Sequence, residues 1–297
     1  MSPPLPAAVS GQRFEFDSPA GRLSAYVAGD GAPLLLVHSV NAAASAAEVR
    51  PLYERYKASR RVFALDLPGF GFSERSDRVY TPRLMTDALL AMAREIRSRC
   101  GPAPIDALAL SLSSEFLARA AVEQPDRFRS LALVSPTGFS GARERRGAPG
   151  STYAMPWLYR ALRGPGWGGA VFRGLTRPGV IRYFLRRTWG ARKIDEDLWR
   201  YDVITARQPG AEFAPLAFVS GALFSADIHA VYERLALPVW MSHGVRGDFT
   251  DYRGRAIVEG RPNWRFSVFQ TGALPHFERL EEFAATYDRF LAGVRRA

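Results

Sequence analysis

Ser111 stands where two sequence patterns meet. The run "IDALAL" (105–110) leads into it, and "SEFLARAA" (114–121) leaves it with the spacing of an amphipathic helix. Almost no turn residues lie between. A strand that runs into a serine and turns at once into a helix is the setting of a nucleophile elbow, in which a strained turn presents the hydroxyl. Its usual text is G-x-S-x-G, because larger neighbours would collide in the turn. Here the run is Ala109-Leu110-Ser111-Leu112-Ser113, with both glycines replaced by other small residues. The chemistry this suggests is attack on a carbonyl. It requires a base to take the hydroxyl proton and a third group to orient that base. The plainer alternative is a serine that only caps the helix.

The flanking elements agree with such a site. "QRFEFDS" and "GRLSAYVAG" alternate apolar with polar and read as two opening strands, with a turn at Gly29-Asp30-Gly31 after the second. "PLLLVHS", "RRVFALDLPG", "IDALALS" and "RSLALVSP" are apolar runs expected of strands buried on both faces. Helical spacing separates them, clearest in "TPRLMTDALLAMAREIRSRC", where Thr81 is the expected N-cap before Pro82. Strands alternating with helices predict a parallel, helix-covered sheet. The alternation stops between about Gly138 and Leu235, where helical pieces rich in Trp, Tyr and Arg follow one another. It resumes at "LPVWMSHG", "DYRGRAIVEG" and "WRFSVFQ", and ends in the helix "LEEFAATYDRFLAGVRRA".

Five segments, in order, resemble the α/β-hydrolase superfamily. "LLLVHSVNAAAS" is similar to its oxyanion loop, "ALDLPGFGFSER" to the segment after the next strand, and "LVSPTG" to the strand end before an inserted cap. "PVWMSHGVRGD" is similar to the acid-bearing strand and "GALPHFERLEEF" to the histidine loop and helix. The resemblance implies an α/β fold: a mostly parallel sheet flanked by helices, with a helical cap. The core would span 1–137 and 237–297, and the cap 138–236.

The resemblance also implies roles. Ser111 matches the nucleophile, and the family order of nucleophile, acid and histidine is supplied by Ser111, Asp248 and His276. The oxyanion would be held by the backbone N–H groups of Leu112 and Val40. Ser39 stands where the family usually has glycine. Asn41 would either donate to the same place or cap the loop, and His38 would hold the loop. Glu115, in the first turn of the helix after Ser111, would complement the helix dipole or line the pocket floor. Two positions depart from the family text. The usual acid lies three residues after the strand-ending glycine, which here is Gly247 rather than Asp248, with Asp251 a second candidate that would otherwise cap a helix. Aligning "GALPHFE" on its Pro-His-x-Glu puts Ala273 at the usual base position and His276 on the second histidine. Either the triad has shifted as a unit, or the base is lost and the protein binds without catalysis.

Composition bounds the function class. The 297 residues are 47% hydrophobic and 23% charged, an ordinary globular balance. No apolar run is long enough for a membrane helix. "MSPPLPAAVSGQ" has neither a basic nor an apolar segment of a secretory signal, and with the single Cys100 this makes the cytoplasm the expected location. The net charge of +11 comes mostly from dispersed arginines, densest at "GARERRGAP". With no aromatic-basic interleaving that resembles an RNA-binding module, it reads as a solvated surface, or as attraction to an anionic substrate or lipid head group, rather than a nucleic-acid site. No metal-ligand spacing or Gly-rich phosphate loop occurs, so no metal or cofactor is expected. The leading expectation is a serine hydrolase acting on an ester, thioester or lactone of a small, fairly apolar acyl substrate. A carbon–carbon bond hydrolase or an acyltransferase would keep the same triad. Epoxide hydrolases and haloalkane dehalogenases are disfavoured, since they need a carboxylate where Ser111 stands.

Overall fold

The computed structural model describes residues 3–141, 144–164 and 167–294. Arg143 of the basic run and the last three residues of the C-terminal helix segment lie outside them. One eight-stranded sheet organises the chain, in the order β1-β2-β4-β3-β5-β6-β7-β8. Its strands are β1 (Gln12–Phe16), β2 (Leu23–Ala28), β3 (Pro33–Val37), β4 (Arg61–Asp66), β5 (Ile105–Leu110), β6 (Phe128–Val134), β7 (Val239–Gly244) and β8 (Trp264–Phe269). β1 and β2 pair antiparallel, and β2 joins β4 antiparallel. From β4 to β8 every pairing is parallel. The runs read as two-face-buried strands are so: β3 and β5 are buried throughout, and β4 and β6 have a single half-buried residue each. Side chains from opposite faces feed two apolar layers, one around Met85, Leu89 and Phe116, the other around Tyr53, Trp240 and Phe283.

Helices cover both faces: α1 (Arg50–Tyr56), α2 (Pro82–Cys100) and α3 (Ser113–Glu123) early in the chain, then α10 (Ala256–Glu259), α11 (Pro275–Glu278) and α12 (Leu280–Val294). Thr81 caps α2 as its sequence predicts, accepting from the Leu84 N–H at 3.1 Å. Between β6 and β7 the described residues form six helices: α4 (Pro156–Leu162), α5 (Gly168–Leu175), α6 (Pro178–Trp189), α7 (Glu196–Thr205), α8 (Phe213–Val219) and α9 (Ile228–Arg234). An isolated bridge between Thr152 and Ser225 is the single strand-like pairing among the described residues there.

A buried charge cluster anchors the strand that leads to Ser111. Asp106, on β5, accepts from Arg60 Nη2 at 2.5 Å, Arg129 Nε at 2.9 Å and Ser130 Oγ at 2.6 Å. Such a cluster fixes register rather than adding much stability, because desolvating the charges offsets their attraction.

Candidate active site

The loops that leave β3, β5, β6, β7 and β8 all emerge at the carboxyl edge of the parallel strands, where open α/β sheets place their sites. Ser111 leaves β5 with φ +51°, and Ser135 leaves the neighbouring β6 with φ +47°. Left-handed backbone at a non-glycine residue costs on the order of 1–3 kcal/mol and persists only where the surroundings impose it. The Ser111 N–H donates to the Val134 carbonyl at 2.8 Å, and α3 begins two residues later. Small neighbours are needed here: Ser113 and Ser114 are wholly buried, and Ser113 Oγ donates to the His38 carbonyl at 2.5 Å. That bond ties the start of α3 to the loop after β3. Val40 and Leu112, one on each side of it, are buried, and their backbone N–H groups have no acceptor among the described residues. Buried N–H groups are nearly always paired. Free backbone N–H groups of this kind are able to hold an oxyanion.

The rest of the loop is occupied. Glu48 is buried, and its carboxylate accepts from the Ser39 N–H at 2.7 Å, Ser39 Oγ at 3.0 Å and Asn41 Nδ2 at 2.6 Å. Asn41 Oδ1 accepts from the Ala43 N–H at 2.7 Å, so Asn41 folds its own loop. His38 does the structural work expected of it: Nδ1 donates to the Ser39 carbonyl at 2.6 Å and Nε2 accepts from the Leu67 N–H at 3.0 Å. Burial lowers its pKa to about 4. Burial also raises the Glu48 carboxyl, against the pull of its Ser39 and Asn41 bonds, and it raises Asp202 on α7 well above its ordinary value, with Glu48 adding to the rise. Glu48 was not singled out from the sequence. The signal was there: an acid inside the apolar run "ASAAEV", where only a partnered carboxyl is tolerated.

Glu115 takes neither expected role alone. It is wholly buried, accepts from Thr137 Oγ1 at 2.5 Å and from the Ser225 N–H at 2.9 Å, and so bridges α3 to the helical insertion. Burial pushes its pKa up to about 7.

Asp248 and His276 are not joined to Ser111 or to each other by any hydrogen bond among the described residues. Asp248 is half-exposed and ion-paired with Arg187 of α6. His276 is wholly buried beside Phe277 and Phe283. Its Nε2 donates to the Glu48 carbonyl at 2.8 Å, Nδ1 has no partner, and burial lowers its pKa to about 4. The second acid candidate, Asp251, accepts from the Gly141 N–H at 2.9 Å and from Arg253, which makes it a loop and turn cap. The other two histidines are likewise held by backbone groups, His229 by Gly138 and His243 by Gly244.

The family's usual acid and base positions are filled by the end of α6. The Asp248 N–H donates to the Arg187 carbonyl at 3.2 Å, and the Ala273 N–H to the Thr188 carbonyl at 2.9 Å. Gly247 has φ +83°, and a Cβ there would lie 2.2 Å from the Arg187 oxygen. A side chain at 247 and this placement of α6 exclude each other. Beside Asp248 opens a cavity of about 210 Å³, lined also by Ser135, Thr137, Phe224 and Tyr252. No metal-holding cluster of His, Cys, Asp and Glu occurs among the described residues, and no described helix is long and apolar enough to cross a membrane.

A parallel sheet with a strained serine at the end of its fifth strand, and helices inserted after the sixth, defines the hydrolase-type α/β class. The family model described as "alpha/beta hydrolase fold" matches residues 32–165. The chain has the α/β-hydrolase fold, as its motifs imply. Among solved structures it is similar to a thermophilic esterase from Thermogutta terrifontis, at 20% identity and TM-score 0.70, covering 96% of this chain and 99% of that one. The enol-lactonase from Burkholderia xenovorans LB400 is similar at 18% identity and TM-score 0.68, with 94% and 99% covered. The 2-hydroxy-6-oxo-6-phenylhexa-2,4-dienoate hydrolase from Rhodococcus sp. strain RHA1 matches at 20% identity and TM-score 0.71, with 95% and 100% covered. No curated protein matches the chain by sequence.

Proposed function

We propose that this chain captures the carbonyl of a small, fairly apolar ester, thioester or lactone at Ser111 and cleaves it as a serine hydrolase. The observation that carries the reading is the strained Ser111, followed by the acceptor-free Leu112 N–H, with the Ser113–His38 bond holding beside it the loop that bears the acceptor-free Val40 N–H. In this scheme Ser111 Oγ attacks the carbonyl carbon and the oxyanion sits between the two N–H groups. His276 takes the serine proton and returns it to the leaving group, Asp248 orients the imidazole, and water releases the acyl group. Residues 138–236 act as a cap over a core of 1–137 and 237–297. The scheme needs the end of α6 to withdraw, freeing Asp248 from Arg187, and His276 to leave the Glu48 carbonyl. No cofactor enters it, and the cytoplasm is the expected location. The esterase, enol-lactonase and dienoate hydrolase activities named for the structural neighbours set the first substrate panel. An acyltransferase would use the same groups.

A second reading has its own observation. Gly247 and Ala273 occupy the usual relay positions, and α6 backbone fills the space beside them. On that reading Ser111 and its N–H pair bind a carbonyl compound without turnover. Steady-state hydrolysis of aryl esters, thioesters and lactones by the wild type, His276→Ala and Asp248→Asn separates the two. The hydrolase reading expects wild-type turnover and a fall of about 10³-fold or more in His276→Ala. Binding without turnover in the wild type leaves the second reading.

A further inference from the structure

The outer face of α4, α5 and α6 combines two features that rarely occur together on a solvated surface. From Arg145 to Ile194 the chain contains no aspartate or glutamate. Within that span Arg160, Arg173, Arg177, Arg186, Arg192 and Lys193 are exposed and make no ion pair among the described residues. Large apolar side chains lie exposed among them. Trp157 is 65% exposed, Trp167 59%, Phe184 55% and Tyr183 52%. Of the large hydrophobic side chains exposed anywhere in the described chain, most fall between Tyr153 and Phe184.

These side chains do not point out for want of a core. Phe172 of α5 and Ile181 of α6 are buried with Ala43, Ala206 and Ala211, so the inner faces of α5 and α6 are satisfied. Exposed apolar patches of this kind mark a surface that meets something. Aromatic rings interleaved with unpaired arginines suit an anionic membrane surface: rings enter the boundary between head groups and acyl chains, and guanidinium groups meet lipid phosphates. Single-stranded nucleic acid would also stack bases on such rings, so the test carries an oligonucleotide arm.

We propose that the α4–α6 face docks the protein peripherally on anionic lipid bilayers, independently of what Ser111 does. The test is vesicle flotation of the full chain, with phosphatidylcholine vesicles alone or containing roughly 30% phosphatidylglycerol. The proposal expects flotation with the anionic vesicles, a blue shift of tryptophan emission on binding, and weakening as salt rises. Two surface variants, Trp157→Ser with Trp167→Ser and Arg173→Glu with Arg186→Glu, should each lower binding by about tenfold or more while circular dichroism stays unchanged. Equal flotation on neutral and anionic vesicles, or none on either, overturns it. So does binding to a single-stranded oligonucleotide as tight as to vesicles and weakened by both variants, which would assign the face to nucleic acid.

Discussion

His276 Nε2 donates its proton to the carbonyl oxygen of Glu48, 2.8 Å away. A carbonyl only accepts, so Nε2 carries hydrogen and Nδ1, which has no partner, carries the lone pair. A histidine serving a serine needs the reverse: Nε2 free to accept and Nδ1–H held by an acid. His276 is therefore held away from the arrangement that the proposed proton relay requires. The same holds for Asp248, which answers to Arg187 rather than to an imidazole.

The strain at Ser111 has a measurable counterpart. Glycine adopts φ +51° without penalty, so Ser111→Gly should stabilise the fold by about 1 kcal/mol, raising Tm by about 2–4 °C. Thermal unfolding of the two proteins checks it. An unchanged or lowered Tm would mean that the serine is not strained.

The end of α6 blocks simple restoration of the usual triad text. In Gly247→Asp the new Cβ would meet the Arg187 oxygen at a left-handed position. The expected cost is about 2–4 kcal/mol in urea unfolding, from backbone strain and overpacking together. A neutral effect would show that α6 sits elsewhere in solution.

How much of this was legible in the sequence follows the range of the interactions. The elbow was, because small residues at a strand end report on a turn made of their own neighbours. The buried strands were, because unbroken apolar runs require cover on both faces. Thr81 as a cap was, because its partner Leu84 lies three residues away. Asp248 and His276 were named from residue type and order. What they touch was decided by Arg187, 61 residues from Asp248, and by Glu48, 228 residues from His276. Nothing local reports on where a helical insertion will rest. Asn41 was placed between two roles, and Glu48 seven residues on settled it by taking the side-chain amide.

Glu115 supplies a pH signature. Burial raises its folded pKa to about 7 from an ordinary value near 4.5. The folded state then binds the proton more tightly than the unfolded state. The stability this brings is full below about pH 4.5 and is lost as pH rises through 7. His38 and His276, lowered by burial to about 4, act oppositely, losing stability as pH falls below about 6.5. Glu115→Gln keeps a side-chain amide against Thr137 and Ser225 but cannot ionise. Between pH 5 and 8 it should remove about 2–3 kcal/mol of the wild-type decline, read from urea midpoints. An identical pH profile in the two proteins would place the Glu115 carboxyl in water rather than between α3 and the insertion.

The central claim is that Ser111 is a reactive, carbonyl-facing serine. Its most direct test is covalent labelling of the folded protein by a fluorophosphonate, read by intact mass, in the wild type, Ser111→Ala and His276→Ala. A single adduct on the wild type that disappears in Ser111→Ala is the predicted result, and loss in His276→Ala as well would assign the proton relay. No adduct on the folded wild type, or one that persists in Ser111→Ala, would contradict it.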